Sequence, residues 1–384
     1  MTGSIQINKK DGKYYIYLSW KQGNKRKQKC IGTGLPAKGR NKRRAEAALQ
    51  QALTEWRDKI VEDQPDIFFS DYLTTWLSDI KNTVQPTTYS NYRIVVDGVI
   101  RPYFAERGIR LQNLSPRHIQ DFYTLKMERD GVSPNTIRHY HSYINSALKH
   151  AIDMEMIKVN PAERVKLPKK VKYRAVAHDA SSIGKLIEGS KGTRLEAPIR
   201  IGALFGTRRG EILGVKWRDI DLDKKRLYIG SVIAKADQEY YKQTPKNETS
   251  IRWFPLSDDD VEFFINLKNK QKANRARYGD RYNTEDKDFV CVDEYGNRLK
   301  LDYLTRNIPQ LAIKLGLDRI KLHELRHSNI SLLLASGASI NEVQEWAGHS
   351  SASTTANIYG HTLGEYKTKL TETIHNSLNE PSAS

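Results

Sequence analysis

Cysteine is nearly absent from this chain of 384 residues: only Cys30 and Cys291 occur. Two thiols so far apart exclude a disulfide framework and a cysteine-built zinc site, and they fit a reducing compartment. Long apolar runs are missing too. No stretch approaches the roughly 18 apolar residues of a membrane-spanning helix, and the opening MTGSIQINKKDGKYY lacks the apolar core of a signal peptide. Internal repeats and low-complexity tracts are also lacking. These absences lead us to expect a soluble cytoplasmic protein with no membrane partner.

Negative charge is the third scarcity. Lys and Arg number 63 against 45 Asp and Glu, a net charge of +18 and a pI near 9.6. Such an excess points to a polyanion, because each Lys or Arg set on a phosphate releases condensed counterions. A merely solvated basic surface is the alternative. The charge is uneven: residues 1–60 carry 15 basic and 4 acidic side chains, a net of +11. A terminal module so basic reads as a nucleic-acid-binding arm. The remaining composition, 38% apolar and 28% charged, suits ordinary globular cores.

Residues 5 to 34 alternate as strands do, with Ile5, Ile7, Tyr15 and Tyr17 as the repeating side chains. Asp11-Gly12 and Gln22-Gly23-Asn24 supply hairpin turns. Asn41 is placed to cap a helix carrying Ala45, Leu49, Leu53, Trp56 and Ile60 at helical spacing. The first module is therefore expected to be a three-stranded sheet plus one helix. Asp63 to Asp66 reads as a linker. From Phe68 to Leu167 the pattern is helical, and Ser115-Pro116 and Ser133-Pro134 mark helix starts, an N-cap followed by a proline the first turn tolerates. In the last helix Ile137, Tyr140, Ile144, Leu148 and Ala151 form the expected buried stripe. Arg138, His139, His141 and Lys149 fall outside it, open to phosphates or simply to solvent.

Asn160-Pro161 closes this module, and LPKKVKYR follows as a basic connector. From Ala175 helices run to Trp217. Leu227 to Ala234, Glu239 to Gln243 and Ile251 to Leu256 then alternate as a small antiparallel sheet, with Lys246 in the turn between the last two strands. Helices resume afterwards.

The chemistry concentrates in KLHELRHSNISLLLASGASINEVQEWAGHSSASTTANIYGH, residues 321–361. A phosphodiester in transit needs cations on its non-bridging oxygens, proton donors and a nucleophile. His323 and Arg326 stand three apart, sharing a helix face. His349 and Tyr359 follow ten residues apart. Upstream, FGTRRGEILGVKW supplies Arg208 and Glu211, also expected to share a helix face. His323-Glu324-Leu325-Arg326-His327 also matches the H-E-x-x-H zinc-protease signature, with Glu345 as a conceivable third ligand. Ile330 and Leu333 stand where the extended motif wants glycine and histidine, and a protease has no use for Arg208, Lys246 and a basic arm.

These residues together resemble the tyrosine recombinase (phage integrase) family, whose signature runs Arg, Lys, His-x-x-Arg, His or Trp, Tyr. Gly206-Thr207-Arg208 with Glu211 matches the first arginine. Lys246, ahead of Ser250, Arg252, Pro255 and Leu256, matches the lysine. His323 with Arg326, Gly348-His349 and Tyr359 complete the order over roughly the last two hundred residues. The resemblance implies a multidomain α+β protein: an arm-site DNA-binding domain over residues 1–61, an all-α, SAM-like core-binding domain over 66–167, and a mainly α catalytic domain with a small antiparallel sheet and a tail helix over 173–384. It further implies that Tyr359 attacks the scissile phosphate, with Arg208, Arg326 and His349 stabilising charge, Lys246 as general acid and His323 as general acid/base. Neither metal nor nucleotide cofactor is required. The implied partners are double-stranded DNA at core and arm attachment sites, three further copies of the chain in a tetramer, an excisionase and a host DNA-bending protein. A type IB topoisomerase-like relaxase and a catalytically inert regulator remain alternatives.

Overall fold

The computed structural model describes residues 1–22, 25–62, 66–171, 176–236, 239–243 and 251–348. It divides into two compact units, Met1–Val171 and Lys172–Ser384.

The first unit opens with an antiparallel sheet in the order β1 (Thr2–Ile7), β2 (Lys13–Gln22), β3 (Lys25–Pro36), followed by α1 (Asn41–Glu62). The inward face of β2 is the row of Ile16 and Leu18. Ile16 and Leu18 are buried, while Tyr17 and Ile7 are exposed. Ile5 pairs with Ile16 and Ile16 with Ile31, so this row faces α1, where Ala48, Leu49, Ala52, Leu53 and Trp56 pack against it. Period-2 alternation gives two rows, and both rows of β2 are apolar enough to line a core. Only the partner helix selects one. Asn41 is the first residue of α1, and its side-chain amide donates to the Pro36 carbonyl (3.1 Å).

A second, separate core in the same unit lies among α2 (Phe69–Ile80), α3 (Pro86–Val95), α4 (Arg101–Glu106), α5 (Pro116–Glu128) and α6 (Pro134–Asp153). Ser115 and Ser133 cap α5 and α6 as the sequence indicates, accepting from the His118 and Thr136 N–H groups. Between α3 and α4 the helix widens into a π turn, Val96–Ile100. Pro102 has no N–H to offer the Gly98 carbonyl, which accounts for the break in the ladder. Ile137, Ile144, Leu148 and Ala151 are buried on α6. His141, expected outside that stripe, is partly enclosed with Nδ1 3.0 Å from the Tyr123 hydroxyl, whereas His139 and Lys149 are exposed.

The second unit places α7 (Ala180–Ser190), α8 (Glu196–Phe205) and α9 (Arg209–Gly214) before a strand region. That region is two sheets rather than the single one expected: β4 (Ile220–Asp221), β5 (Arg226–Ile229) and β8 (Arg252–Pro255) in the order β4-β5-β8, and a hairpin of β6 (Val232–Ala236) and β7 (Glu239–Gln243). The run Leu227 to Ala234 breaks at Gly230-Ser231 because β6 must lie against α9. There the Ser231 hydroxyl donates to the Gly214 carbonyl (2.8 Å), and a Cβ at Gly210 or Gly214 would come within 2.5 or 2.6 Å of the Ile233 or Ser231 carbonyl oxygen. α10 (Asp258–Tyr278), α11 (Leu301–Lys314), α12 (Leu322–Ala335) and α13 (Ile340–Ala347) complete the described fold. Among the described residues no helix is long and apolar enough to cross a membrane.

Candidate active site

The site begins at the end of α8. Gly206 there has φ 59°, and a Cβ on it would meet Asn329 Oδ1 at 2.6 Å. Asn329, buried on α12, donates to the Ala203 and Leu204 carbonyls (3.0 and 2.8 Å), which a helix C-terminus otherwise leaves unpaired. Its Oδ1 accepts from Trp346 Nε1 at 3.2 Å. One amide thus ties α8, α12 and α13 together beside the turn that carries Arg208. Nothing in the spacing of the sequence singled it out.

Arg208 is extended and stands just outside α9, so it does not share a helix face with Glu211 as expected. The relation is a cap. Glu211 reaches back from the third helical position, accepting the Arg208 N–H at Oε2 (2.9 Å) and its guanidinium at Oε1 (2.7 Å). Arg252 on β8 donates Nη2 to Glu211 Oε2 (2.9 Å). Burial of Glu211 opposes its charge, but Arg252 and Arg208 outweigh it and hold the carboxyl below the usual carboxylate range. In the sequence Arg252 stands out only as a marker downstream of Lys246. The overlooked signal is its register: alternation puts it on the inward row with Phe254, where a cation requires a carboxylate.

Arg326 is 2% exposed. It donates Nη1 to the Gly206 carbonyl and Nη2 to the Ala347 carbonyl, both at 2.6 Å. Arg208 Nη2 donates to the Gly348 carbonyl (2.8 Å). Two guanidinium groups therefore converge on adjacent carbonyls at the end of α13, the negative pole of that helix. The peptide leading into His349 is held by Arg208. His349 itself, Lys246 and Tyr359 lie outside the described residues.

His323 is solvent-exposed in the first turn of α12. Partial enclosure, reinforced by the charges of Arg326 and Arg208, pushes its pKa below the ordinary histidine value. That shift favours the uncharged imidazole, the form able to accept a proton. His327, one turn on, meets it edge to face with ring centroids 4.5 Å apart. Burial, together with His323 and Arg326, pushes the His327 pKa down to about 4.

Glu324 points elsewhere. Its Oε2 accepts the Lys321 N–H (2.9 Å) and lies 3.2 Å from His178 Nε2. A zinc protease needs that glutamate facing a metal-bound water beside both imidazoles, whereas here it caps its own helix. Glu345 is exposed on α13. Among the described residues no group of three His, Cys, Asp or Glu side chains is arranged to hold a metal. The described set can instead grip an oxyanion: two guanidinium groups at one point, with an imidazole in the same site.

Comparison with known proteins agrees with that chemistry. The profile described as "Phage integrase family" matches residues 176–365, and "Phage integrase, N-terminal SAM-like domain" matches 68–127. The chain belongs to the tyrosine recombinase (phage integrase) family. As such it is an enzyme that cleaves and rejoins DNA. A tyrosine recombinase XerC-like protein of Caldanaerobacter subterraneus subsp. tengcongensis is 28% identical over 386 residues, covering 95% of this recombinase and 97% of the relative. The ICEBs1 integrase of Bacillus subtilis is 25% identical over 311 residues, covering 80% and 82%. Two solved structures share the fold. Tn1549 transposon integrase in complex with transposon right end DNA has a TM-score of 0.64 at 16% identity, covering 80% of this chain and 99% of that one. A lambda integrase tetramer bound to a Holliday junction has a TM-score of 0.60 at 17% identity, covering 91% and 96%.

Proposed function

We propose that this recombinase integrates and excises a mobile DNA element, with Tyr359 as nucleophile. The observation that carries the reading is the convergence of Arg208 and Arg326 at the end of α13, directly before His349. The phenolic oxygen of Tyr359 attacks phosphorus and the bond to the 5′-oxygen breaks, giving a 3′-phosphotyrosine. A phenol has a pKa near 10, so its proton must be accepted, and the uncharged His323 does this. Lys246 protonates the departing 5′-oxygen; a lysine can lose a proton where an arginine cannot. Arg208, Arg326 and His349 stabilise charge on the non-bridging oxygens. The phosphotyrosyl ester conserves the energy of the broken bond, so a 5′-hydroxyl of the partner duplex reverses the steps without metal or nucleotide.

Two duplexes, each cut once per strand, require four protomers. The reading assigns residues 1–61 to arm sites, 66–167 to core sites and 173–384 to catalysis, with action on bacterial nucleoid DNA in the cytoplasm. An excisionase and a host DNA-bending protein set direction. Relatives named as integrases of ICEBs1 and of prophage ps2 favour a mobile element over housekeeping recombination. The test is strand exchange between two duplexes carrying the element's attachment sites. Recombinant product with protein covalently on the 3′ end is expected. Relaxation of supercoils without exchange would favour the topoisomerase-like alternative.

A further inference from the structure

We propose that His178 is a positioning residue for the recombination chemistry, acting on His323 and Arg326 through Glu324. This rests on the assignment of those two side chains to the reacting phosphate. His178 stands one residue before Asp179, which caps α7 by accepting the Ser182 N–H (2.8 Å). It grips α12 at two points one turn apart. Its backbone N–H donates to Ser328 Oγ (2.8 Å), and its Nε2 lies 3.2 Å from Glu324 Oε2. Ser328 in turn donates to the Glu324 carbonyl (2.8 Å). Both ends of the imidazole–carboxylate contact are enclosed, with side chains 10% and 5% exposed.

The placement matters because of what Glu324 sits between. His323 precedes it and Arg326 follows two residues later, in the first turn of α12, where a helix has fewest internal hydrogen bonds to fix its roll. Glu324 takes the Lys321 N–H from its own turn and His178 from outside the helix. Glu324 and Ser328, four apart, share one side of α12. Gripping that side from the start of α7 fixes the rotation that aims His323 and Arg326. Loss of the grip leaves both groups present but misaligned, and small misplacements slow a preorganised site.

The experiment measures covalent adduct formation by the full chain on a nicked suicide substrate, at saturating DNA in a single turnover. His178→Ala is expected to slow the adduct about tenfold with DNA affinity unchanged. His178→Gln, whose amide reaches as far as Nε2, is expected to recover most of the rate, whereas the shorter His178→Asn is not. His178→Ala added to Glu324→Gln should slow the reaction no further than Glu324→Gln alone. Should His178→Ala fail to fold, the Gln and Asn variants decide the matter. Equal rates for those two, or additive effects with Glu324→Gln, would overturn the proposal. Arg326→Ala is the control for the underlying assignment. If that variant forms adduct at the wild-type rate, the phosphate reading falls and this inference with it; if it does not, indifference to His178 overturns this inference alone.

Discussion

Two basic regions of this recombinase use arginine and lysine in opposite ways. In the first module Arg26, Lys27, Lys29, Arg40, Lys42, Arg43 and Arg44 are all exposed on β3, the following turn and α1. In the second unit Arg252 and Arg326 are buried, and with Arg208 each is bonded to a carbonyl or carboxylate of its own chain. Exposed cations contribute affinity that salt screens away. Buried ones contribute little net attraction but are held at fixed angles. The first arrangement suits gripping a polyanion wherever it lies, and the second suits one phosphate in one orientation.

The sharpest way to break this comparison is Arg326→Ala, expected to lower single-turnover adduct formation about a thousandfold, at the upper end for loss of one oxyanion donor. DNA affinity in a filter-binding or anisotropy assay should change far less. If affinity and rate fell together, the buried arginine would be acting as a mere charge. Arg252→Ala comes next. It never reaches the phosphate in this scheme, yet it strips a partner from buried Glu211. We expect a rate loss of about a hundredfold from a misaligned Arg208, and about 3 kcal/mol of stability lost in urea unfolding of the second unit. Arg252→Lys should restore part of both.

Acid provides a smaller test. The His327 pKa is pushed from 6.5 to about 4, so between those values the unfolded chain takes up a proton that the folded chain refuses. Stability is full above the unfolded value and falls as the pH drops through the window, by about 1.4 kcal/mol per unit. His327→Phe should flatten that slope in urea unfolding at stepped pH. The smallest effect on rate belongs to the exposed set. Lys27→Ala and Arg43→Ala are each expected to reduce the salt dependence of DNA binding by about one in logarithmic slope, with adduct formation at saturating DNA almost unmoved.

How legible each region was follows from the same contrast. The net charge of residues 1–60 and the caps at Ser115 and Ser133 are local facts, and local facts survive folding. His323, Arg326 and Arg208 were recognisable because the family spaces them in order. What escaped is what depends on partners distant in sequence. Glu211 serves Arg252, 41 residues away; Asn329 serves carbonyls more than a hundred residues away; His178 meets Glu324 across 146. The inward row of β2 is not legible from alternation for the same reason, since α1 chooses it and the strand does not. The break at Gly230-Ser231 likewise serves α9, not the strand that contains it.

The most direct test is which side chain carries the DNA. Proteolysis of the trapped adduct followed by mass spectrometry of the DNA-linked peptide reads this out. Attachment through Tyr359, with no adduct from Tyr359→Phe and full yield in the presence of a metal chelator, is the predicted result. Attachment through Tyr366 or any other residue, or an adduct lost to the chelator, would contradict it.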